Sequence, residues 1–171
     1  VENACTCLVA LIAIGKDQDH VLNRFSSLQP VAMRLEIKQG NNECIVINDS
    51  YNSDLNSLTI ALDTLDQQAS QDFLTKTLIL SDIYFSPKPD DVLYAEVAEL
   101  IRLRMMERFI GIGPNISEQA NLFGDNAKFY ESTYDFLNDM PNLEFKQEAI
   151  LLKGSRDFQF DLIATVLQHK A

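Results

Sequence analysis

Apolar and polar positions follow one another along most of this chain in the pattern of an α/β protein. Short continuous apolar runs, typical of buried strands, are separated by segments whose apolar residues lie three and four positions apart, which is typical of helices. The later strands are predicted at residues 77–80, 109–112, 127–130 and 149–152. Such an alternation predicts a mostly parallel sheet with helices on both faces.

The start of the chain has a different pattern. The longest apolar run, Ala4–Ile14, predicts a buried helix that ends at Gly15, and a second helix follows. Pro30 breaks that second helix, so we place a domain boundary there, with residues 1–30 in one unit and 31–171 in the other. The chain begins inside a helix without a starting Met, and we therefore expect it to be part of a longer protein.

A hairpin and four helices complete the prediction, and one of these helices is predicted at residues 134–140. Residues 33–39 and 43–48 favour two strands joined at Gly40-Asn41-Asn42, and this antiparallel pair makes the sheet mixed. A helix is predicted at residues 92–105. Two further helices are indicated by apolar stripes: Leu55, Leu58, Leu62 and Leu65, and near the end Phe158, Leu162, Ile163 and Val166.

Charge and cysteine content narrow the class of protein. A net charge of −11 and a pI near 4.5 argue against binding to nucleic acid or to an anionic membrane, since both need a basic face. The apolar run is shorter than the ~20 residues that span a bilayer, and it lacks the flanks of a signal peptide. Cys5, Cys7 and Cys44 have no metal-ligand spacing, so we expect three buried thiols in a reducing cytoplasm.

Polar residues follow several predicted strands. In an open α/β sheet, ligands bind beyond the carboxyl ends of the strands, so these residues are the candidate site. They lie at positions 48–52, 81–82, 113–115 and 153–156. The pattern alone does not identify the chemistry.

Two of these segments carry family motifs. Asn48-Asp49-Ser50-Tyr51-Asn52 resembles the Asp-Asp-Ser-Tyr-Asn segment of the Mur ligases, and Lys153-Gly154-Ser155-Arg156 resembles their Lys-Gly-Ser-Arg turn. Shorter matches in the same order are Asn3-Ala4, the Met33-Arg34-Leu35-Glu36 segment and the strand end at residues 109–113. The resemblance covers nearly the whole chain and is strongest to the group that adds D-alanyl-D-alanine.

The resemblance implies a fold and an activity. Residues 1–30 would be the tail of the central ATPase domain, and residues 31–171 the C-terminal domain with its Rossmann-like fold. The whole enzyme would use ATP and Mg to join D-alanyl-D-alanine to UDP-MurNAc-tripeptide through an acyl phosphate. The phosphate-binding loop and the metal ligands would lie outside this chain, so the chain alone is expected to be inactive. The resemblance also leaves open that the ligase is fused to an alanine racemase.

The resemblance also assigns roles to single residues. Nucleotide contacts would come from Asn3, Arg34, Asp49 and Tyr51. Each has a plainer reading: a helix-start amide, an exposed strand arginine, a turn aspartate and a ring covering the core edge.

The incoming dipeptide would be bound at Lys153, Ser155 and Arg156, where a helix start with free N–H groups would favour an anion. The plainer reading is a serine that caps a helix. No residue of the chain is assigned as catalytic or as a metal ligand.

Departures from the family leave other readings open. Asn48 replaces an aspartate, Leu55 replaces a proline, and residues 81–85 keep only Asp82 of the family segment, which puts the dipeptide pocket around Asp82 in doubt. One alternative is a receiver- or flavodoxin-like binding module with Asp49 and Asp82 in an acidic pocket. Another is the C-terminal domain of a different Mur ligase or of a folylpolyglutamate ligase.

Overall fold

The computed structural model describes residues 2–25, 31–72 and 74–168, with side chains from Ala4 onward. The chain divides into two compact units, Val1–Val31 and Ala32–Ala171. Pro30, at which the sequence predicts a boundary, lies outside the described residues, and the family assignment of each unit stays a prediction.

The first unit contains two helices, α1 (Glu2–Ala13) and α2 (Gln18–Phe25). Gly15 ends α1 as predicted: its φ is +79°, and its N–H donates to the carbonyl of Ile12 at 2.9 Å. The prediction that this apolar helix is buried is wrong. Val9 is 67% exposed, because within this unit only the short α2 packs against α1.

The second unit is built on a mixed sheet. In the described part of this unit the strands lie in the order β1-β2-β6-β3-β4-β5; β1 is antiparallel to β2 and the other neighbours are parallel. The strands are β1 (Glu36–Gln39), β2 (Ile45–Asp49), β3 (Thr75–Ser81), β4 (Arg108–Ile112), β5 (Ala127–Tyr130) and β6 (Glu148–Lys153). The hairpin and the parallel strands are confirmed, although β1 is shorter than predicted.

Helices cover both faces of the sheet. They are α3 (Leu55–Asp72), α4 (Asp90–Leu103), α5 (Pro114–Glu118), α6 (Thr133–Asp139) and α7 (Phe160–Leu167). Successive side chains of a strand point to opposite faces, so β6 places Leu151 in the core under α3 and α4, and Ile150 and Leu152 in the core under α6 and α7. The predicted fold class is therefore confirmed.

The stripe predicted for the last helix is confirmed only in part: Ile163 is buried and Leu162 is half-buried. Residues Arg156–Phe158 form a separate 3-10 turn, and α7 begins only at Phe160. Phe158 therefore lies outside α7, and Val166 is 53% exposed. The helix instead buries Phe160, Ile163, Ala164 and Leu167.

Candidate functional site

The parallel strands bring their polar carboxyl ends to one edge of the sheet. Asp49 at the end of β2 pairs in register with Lys153 at the end of β6, and Leu80 of β3 is the partner of Lys153 on the other side. Ser81 and Ile112 pair at the ends of β3 and β4. Residues far apart in sequence therefore line one edge, where α/β proteins bind ligands.

Asp49 and Lys153 form a buried ion pair at this edge. The Lys153 ammonium lies 2.9 Å from Asp49 Oδ2 and donates to the Asn52 carbonyl at 2.5 Å. The Lys153 side chain is 1% exposed and that of Asp49 15%. Asp49 Oδ1 accepts a hydrogen bond from the Leu35 N–H at 3.2 Å. The ammonium is thus held behind the carboxylate, and Asp49 is the member of the pair that reaches the surface.

Arg34 and Tyr51 form a flat cationic and aromatic surface. The Arg34 guanidinium lies 4.5 Å from the centre of the Tyr51 ring, and both residues are exposed. This is the geometry of a cation–π contact. The structure therefore brings together Arg34 and Tyr51, two of the predicted nucleotide residues. The side chain of Asn3 lies outside the described residues.

The turn after β6 lacks the free N–H groups that the sequence analysis expected. The Ser155 N–H donates to Ser81 Oγ at 3.0 Å, and the Arg156 N–H donates to the Tyr51 carbonyl at 3.2 Å. Ser155 Oγ accepts from the Asp157 N–H at 3.4 Å. The prediction of free N–H groups on a helix start is wrong here, because these donors are bonded and no α-helix begins at this turn. The binding of the dipeptide at this turn stays a prediction.

The side chains of this turn differ in their exposure to solvent. Ser155 is buried and caps the 3-10 turn, which is the plainer of its two readings. Arg156 is exposed and is the residue of the turn that offers a cation to solvent. Ser81 is the partner of Ser155, and apart from its place at a strand end no sequence pattern indicates this contact.

Asp82 is a buried carboxylate at the end of β3. Its two oxygens accept the Ile116 N–H at 2.8 Å and the Asn115 N–H at 3.2 Å, and the Tyr94 hydroxyl lies 3.5 Å away. Burial raises the pKa of Asp82, although the two backbone hydrogen bonds oppose this effect. Asp82 therefore ties β3 to the start of α5.

Asn48 replaces the first family aspartate without loss of hydrogen bonding. It is 4% exposed, and its Oδ1 accepts the Ser50 hydroxyl at 2.6 Å. A neutral amide at this buried position avoids a second charge beside Asp49.

Neither a metal-ligand cluster nor a membrane-spanning helix is found among the described residues. In that part of the chain, no three His, Cys, Asp or Glu side chains come together in a way that could hold a metal ion. Each helix there is too short or too polar to reach across a bilayer. Of the three thiols predicted to be buried, only Cys44 is; Cys5 and Cys7 lie exposed on α1.

Comparison with known proteins points to one group of enzymes. No family model matches the chain. Over its whole length, the chain is 24% identical to UDP-N-acetylmuramoyl-tripeptide–D-alanyl-D-alanine ligase of Buchnera aphidicola, covering 37% of that protein. The ligase of the same name from Bacillus subtilis is 24% identical over 95% of the chain, which covers 36% of it. The chain thus spans little more than a third of these relatives.

Solved structures have the same fold. MurF from Acinetobacter baumannii superposes with a TM-score of 0.81 at 21% identity, over 97% of this chain and 37% of that one. MurF ligase from Thermotoga maritima, solved in complex with ADP, gives a TM-score of 0.70 at 13% identity, over 93% of this chain and 35% of that one. These matches do not favour a receiver- or flavodoxin-like module, and none of them supports a racemase fusion. The chain is therefore similar in sequence along its whole length to ligases of this name, and it shares the fold of the solved MurF structures.

Proposed function

We propose that this chain is the C-terminal region of an ATP-dependent ligase that joins D-alanyl-D-alanine to UDP-MurNAc-tripeptide. The observation that carries the proposal is the similarity to ligases of this name along the entire chain. The reaction would take place in the cytoplasm. In this scheme the chain positions two substrates, and the groups that handle the transferred phosphoryl lie elsewhere in the protein.

The nucleotide would bind at the edge formed by Arg34, Tyr51 and Asp49. The residues fit such a ligand: the exposed ring of Tyr51 can stack on a base, and the exposed guanidinium of Arg34 can pair with a phosphate. Asp49, whose charge is balanced by Lys153, can still accept hydrogen bonds from ribose hydroxyls. Asn3 stays a prediction that rests on the family resemblance alone. ATP would supply the phosphoryl group that activates the tripeptide carboxylate.

A magnesium ion would accompany ATP. The described residues of this chain do not group three carboxylate, histidine or cysteine side chains, so we place the ligands of this ion in the part of the ligase outside the chain.

The dipeptide carboxylate would bind to Arg156. This guanidinium is exposed, and a planar guanidinium can hold a carboxylate through two parallel hydrogen bonds. Ser155 and Lys153 would act on the dipeptide by holding the turn: the N–H of Ser155 is bonded to Ser81, and Lys153 anchors Asp49 and the Asn52 carbonyl.

Steady-state kinetics of the full-length protein would separate these two assignments. Arg156→Lys should raise the KM for D-alanyl-D-alanine about tenfold and leave the KM for ATP unchanged, because lysine cannot form the paired contact. Arg34→Met should raise the KM for ATP by a similar factor and leave the KM for D-alanyl-D-alanine unchanged. Arg102→Lys is the matched control, since this exposed arginine bonds only Glu99 within α4 among the described residues. If Arg156→Lys changes only the ATP dependence, the turn belongs to the nucleotide.

A further inference from the structure

A small cavity lies beside the proposed dipeptide site. It has a volume of about 250 Å³, and its walls come from the segments that follow β3, β4, β5 and β6, including the first residues of α5 and α6. These segments all leave the carboxyl edge of the sheet, so the cavity lies at the edge where ligands of this architecture bind. No local sequence pattern indicates the cavity, because its walls come from four separated segments.

Aromatic rings form a large part of the wall. Tyr84 and Phe158 lie with their ring centres 5.7 Å apart, tilted by 34°. Tyr84 is 50% exposed and Tyr134 is 62% exposed, so ring surface faces the opening. The electron-rich face of a ring attracts a cation within about 6 Å.

The charged residues of the wall are all acidic. Glu131 and Asp157 line the cavity and are exposed, and no lysine or arginine belongs to its described lining. The negative charge of Asp157 also acts on Tyr84: burial raises the pKa of that phenol, and the charges of Asp82 and Asp157 raise it further. Aromatic faces combined with carboxylates are surroundings that attract an organic cation.

Hydrogen bonds fix the shape of the wall. The Thr133 hydroxyl donates to the Phe158 carbonyl at 2.5 Å, which joins the loop after β5 to the loop after β6. The Tyr134 hydroxyl donates to Gln159 Oε1 at 3.2 Å across the same two loops. The cavity is therefore formed before any ligand binds, which lowers the entropic cost of binding.

We propose that this cavity binds the primary ammonium group of an amino-acid or peptide ligand. The inference rests on the proposed function and extends it. Asp157 directly follows Arg156, so a ligand with a carboxylate on Arg156 can reach the cavity with a positively charged group. Two parts of the proposed substrates offer this chemistry: the amino end of the dipeptide and an amine on the third residue of the tripeptide.

Titration calorimetry on the 171-residue chain tests the inference with three probes. D-Alanyl-D-alanine and meso-2,6-diaminopimelate carry ammonium groups, and N-acetyl-D-alanyl-D-alanine lacks one. We expect a Kd on the order of 1 mM for one of the first two, and which one binds identifies the source of the ammonium group. The acetylated dipeptide should bind at least about tenfold more weakly.

Variants of the wall make the test specific. The double substitution Glu131→Gln and Asp157→Asn should weaken the ammonium probe about tenfold, and Tyr84→Leu should weaken it several-fold. The matched control replaces two exposed acids outside this cavity, Asp125→Asn and Glu144→Gln, and should leave the Kd unchanged. A melting curve for each variant checks that the chain still folds.

Three results would overturn the inference: no saturable binding to the wild-type chain, equal binding of the acetylated dipeptide, or an unchanged Kd in both wall variants. Phosphate release by the full-length ligase keeps the two proposals apart. If release requires D-alanyl-D-alanine while the cavity variants bind normally, the cavity assignment fails and the proposed function stands.

Discussion

Gly113 lies directly against the carboxylate of Asp82. Its φ of +137° is a backbone conformation that residues with a Cβ rarely adopt. A Cβ at this position would also lie 2.4 Å from Asp82 Cγ, well inside contact distance. The close approach lets the Asp82 oxygens reach the Asn115 and Ile116 N–H groups at the start of α5.

Gly113→Ala should therefore destabilise the chain by about 3 kcal/mol, the sum of backbone strain and overpacking. Gly124→Ala is the control, because its φ is not positive and the nearest atom to the added Cβ is Asn126 Oδ1 at 3.3 Å. Its effect should stay below about 1 kcal/mol. Urea unfolding of both variants measures the difference, and equal losses would show that the contact with Asp82 is unimportant.

The pKa of Asp82 leads to a pH-dependent prediction. Because burial raises this pKa above its usual 3.8, the folded chain holds the proton more tightly than the unfolded chain. The stability that this group contributes is fully present below pH 3.8 and is lost as the pH rises through the raised pKa. The D82N variant does not titrate at this position. Its free energy of unfolding should therefore fall further below that of wild type near pH 4 than at pH 7.

Urea unfolding of wild type and D82N across this pH range provides the measurement. Comparing the two proteins at each pH cancels the titration of the other carboxylates. A deficit that grows with pH would mean that Asp82 is stabilised as an anion in the folded chain.

At the scale of elements, the ion pair between Lys153 and Asp49 joins the ends of β6 and β2. Lys153→Met should cost about 3 kcal/mol, since it leaves the mostly buried Asp49 carboxylate without its partner. The double variant with Asp49→Asn should lose less than the sum of the two single losses, because neither charge then remains unpaired.

Lys38→Met serves as the control for this pair. Lys38 forms an exposed ion pair with Glu36 on β1 at 2.9 Å, and such pairs contribute less than about 1 kcal/mol. The free energies of unfolding of wild type, of the Lys153→Met and Asp49→Asn single variants and of the double variant complete the cycle. Strictly additive losses would show that the two strand ends are not coupled through this pair.

The elements also show how far sequence reasoning reaches. Strands such as β3 and β6 were predictable because a continuous apolar run encodes burial on both faces. The turn at residues 153–156 was not, because the state of its N–H groups depends on Ser81, 74 residues away in sequence. The burial of Lys153 depends likewise on Asp49, which lies in a neighbouring strand that is far away in the sequence. Local pattern encodes elements, whereas the partners at a site come from the topology.

At the scale of the whole molecule, the two units differ in how well they bury their apolar residues. The second unit buries two cores, one on each face of its sheet, while the first unit leaves Val9 of α1 and Ile14, just after α1, largely exposed. The exposed thiols of Cys5 and Cys7 belong to the same helix, and Cys44 belongs to the second unit.

A thiol reagent should therefore distinguish the units in the native chain. Cys5 and Cys7 should react with Ellman's reagent at once, and Cys44 only when the chain unfolds. Burial also raises the pKa of the Cys44 thiol, which lowers its thiolate content further. The absorbance change before and after adding denaturant counts the two classes, and immediate reaction of all three thiols would contradict the burial of Cys44.

In the proposed function, this chain is one region of a ligase whose chemistry needs the rest of the protein. The decisive measurement is phosphate release from ATP by the full-length protein and by the 171-residue chain. We expect release by the full-length protein only when UDP-MurNAc-tripeptide and D-alanyl-D-alanine are both present, and none by the chain alone. Release by the chain alone, or release by the full-length protein that does not depend on the dipeptide, would contradict the proposed function.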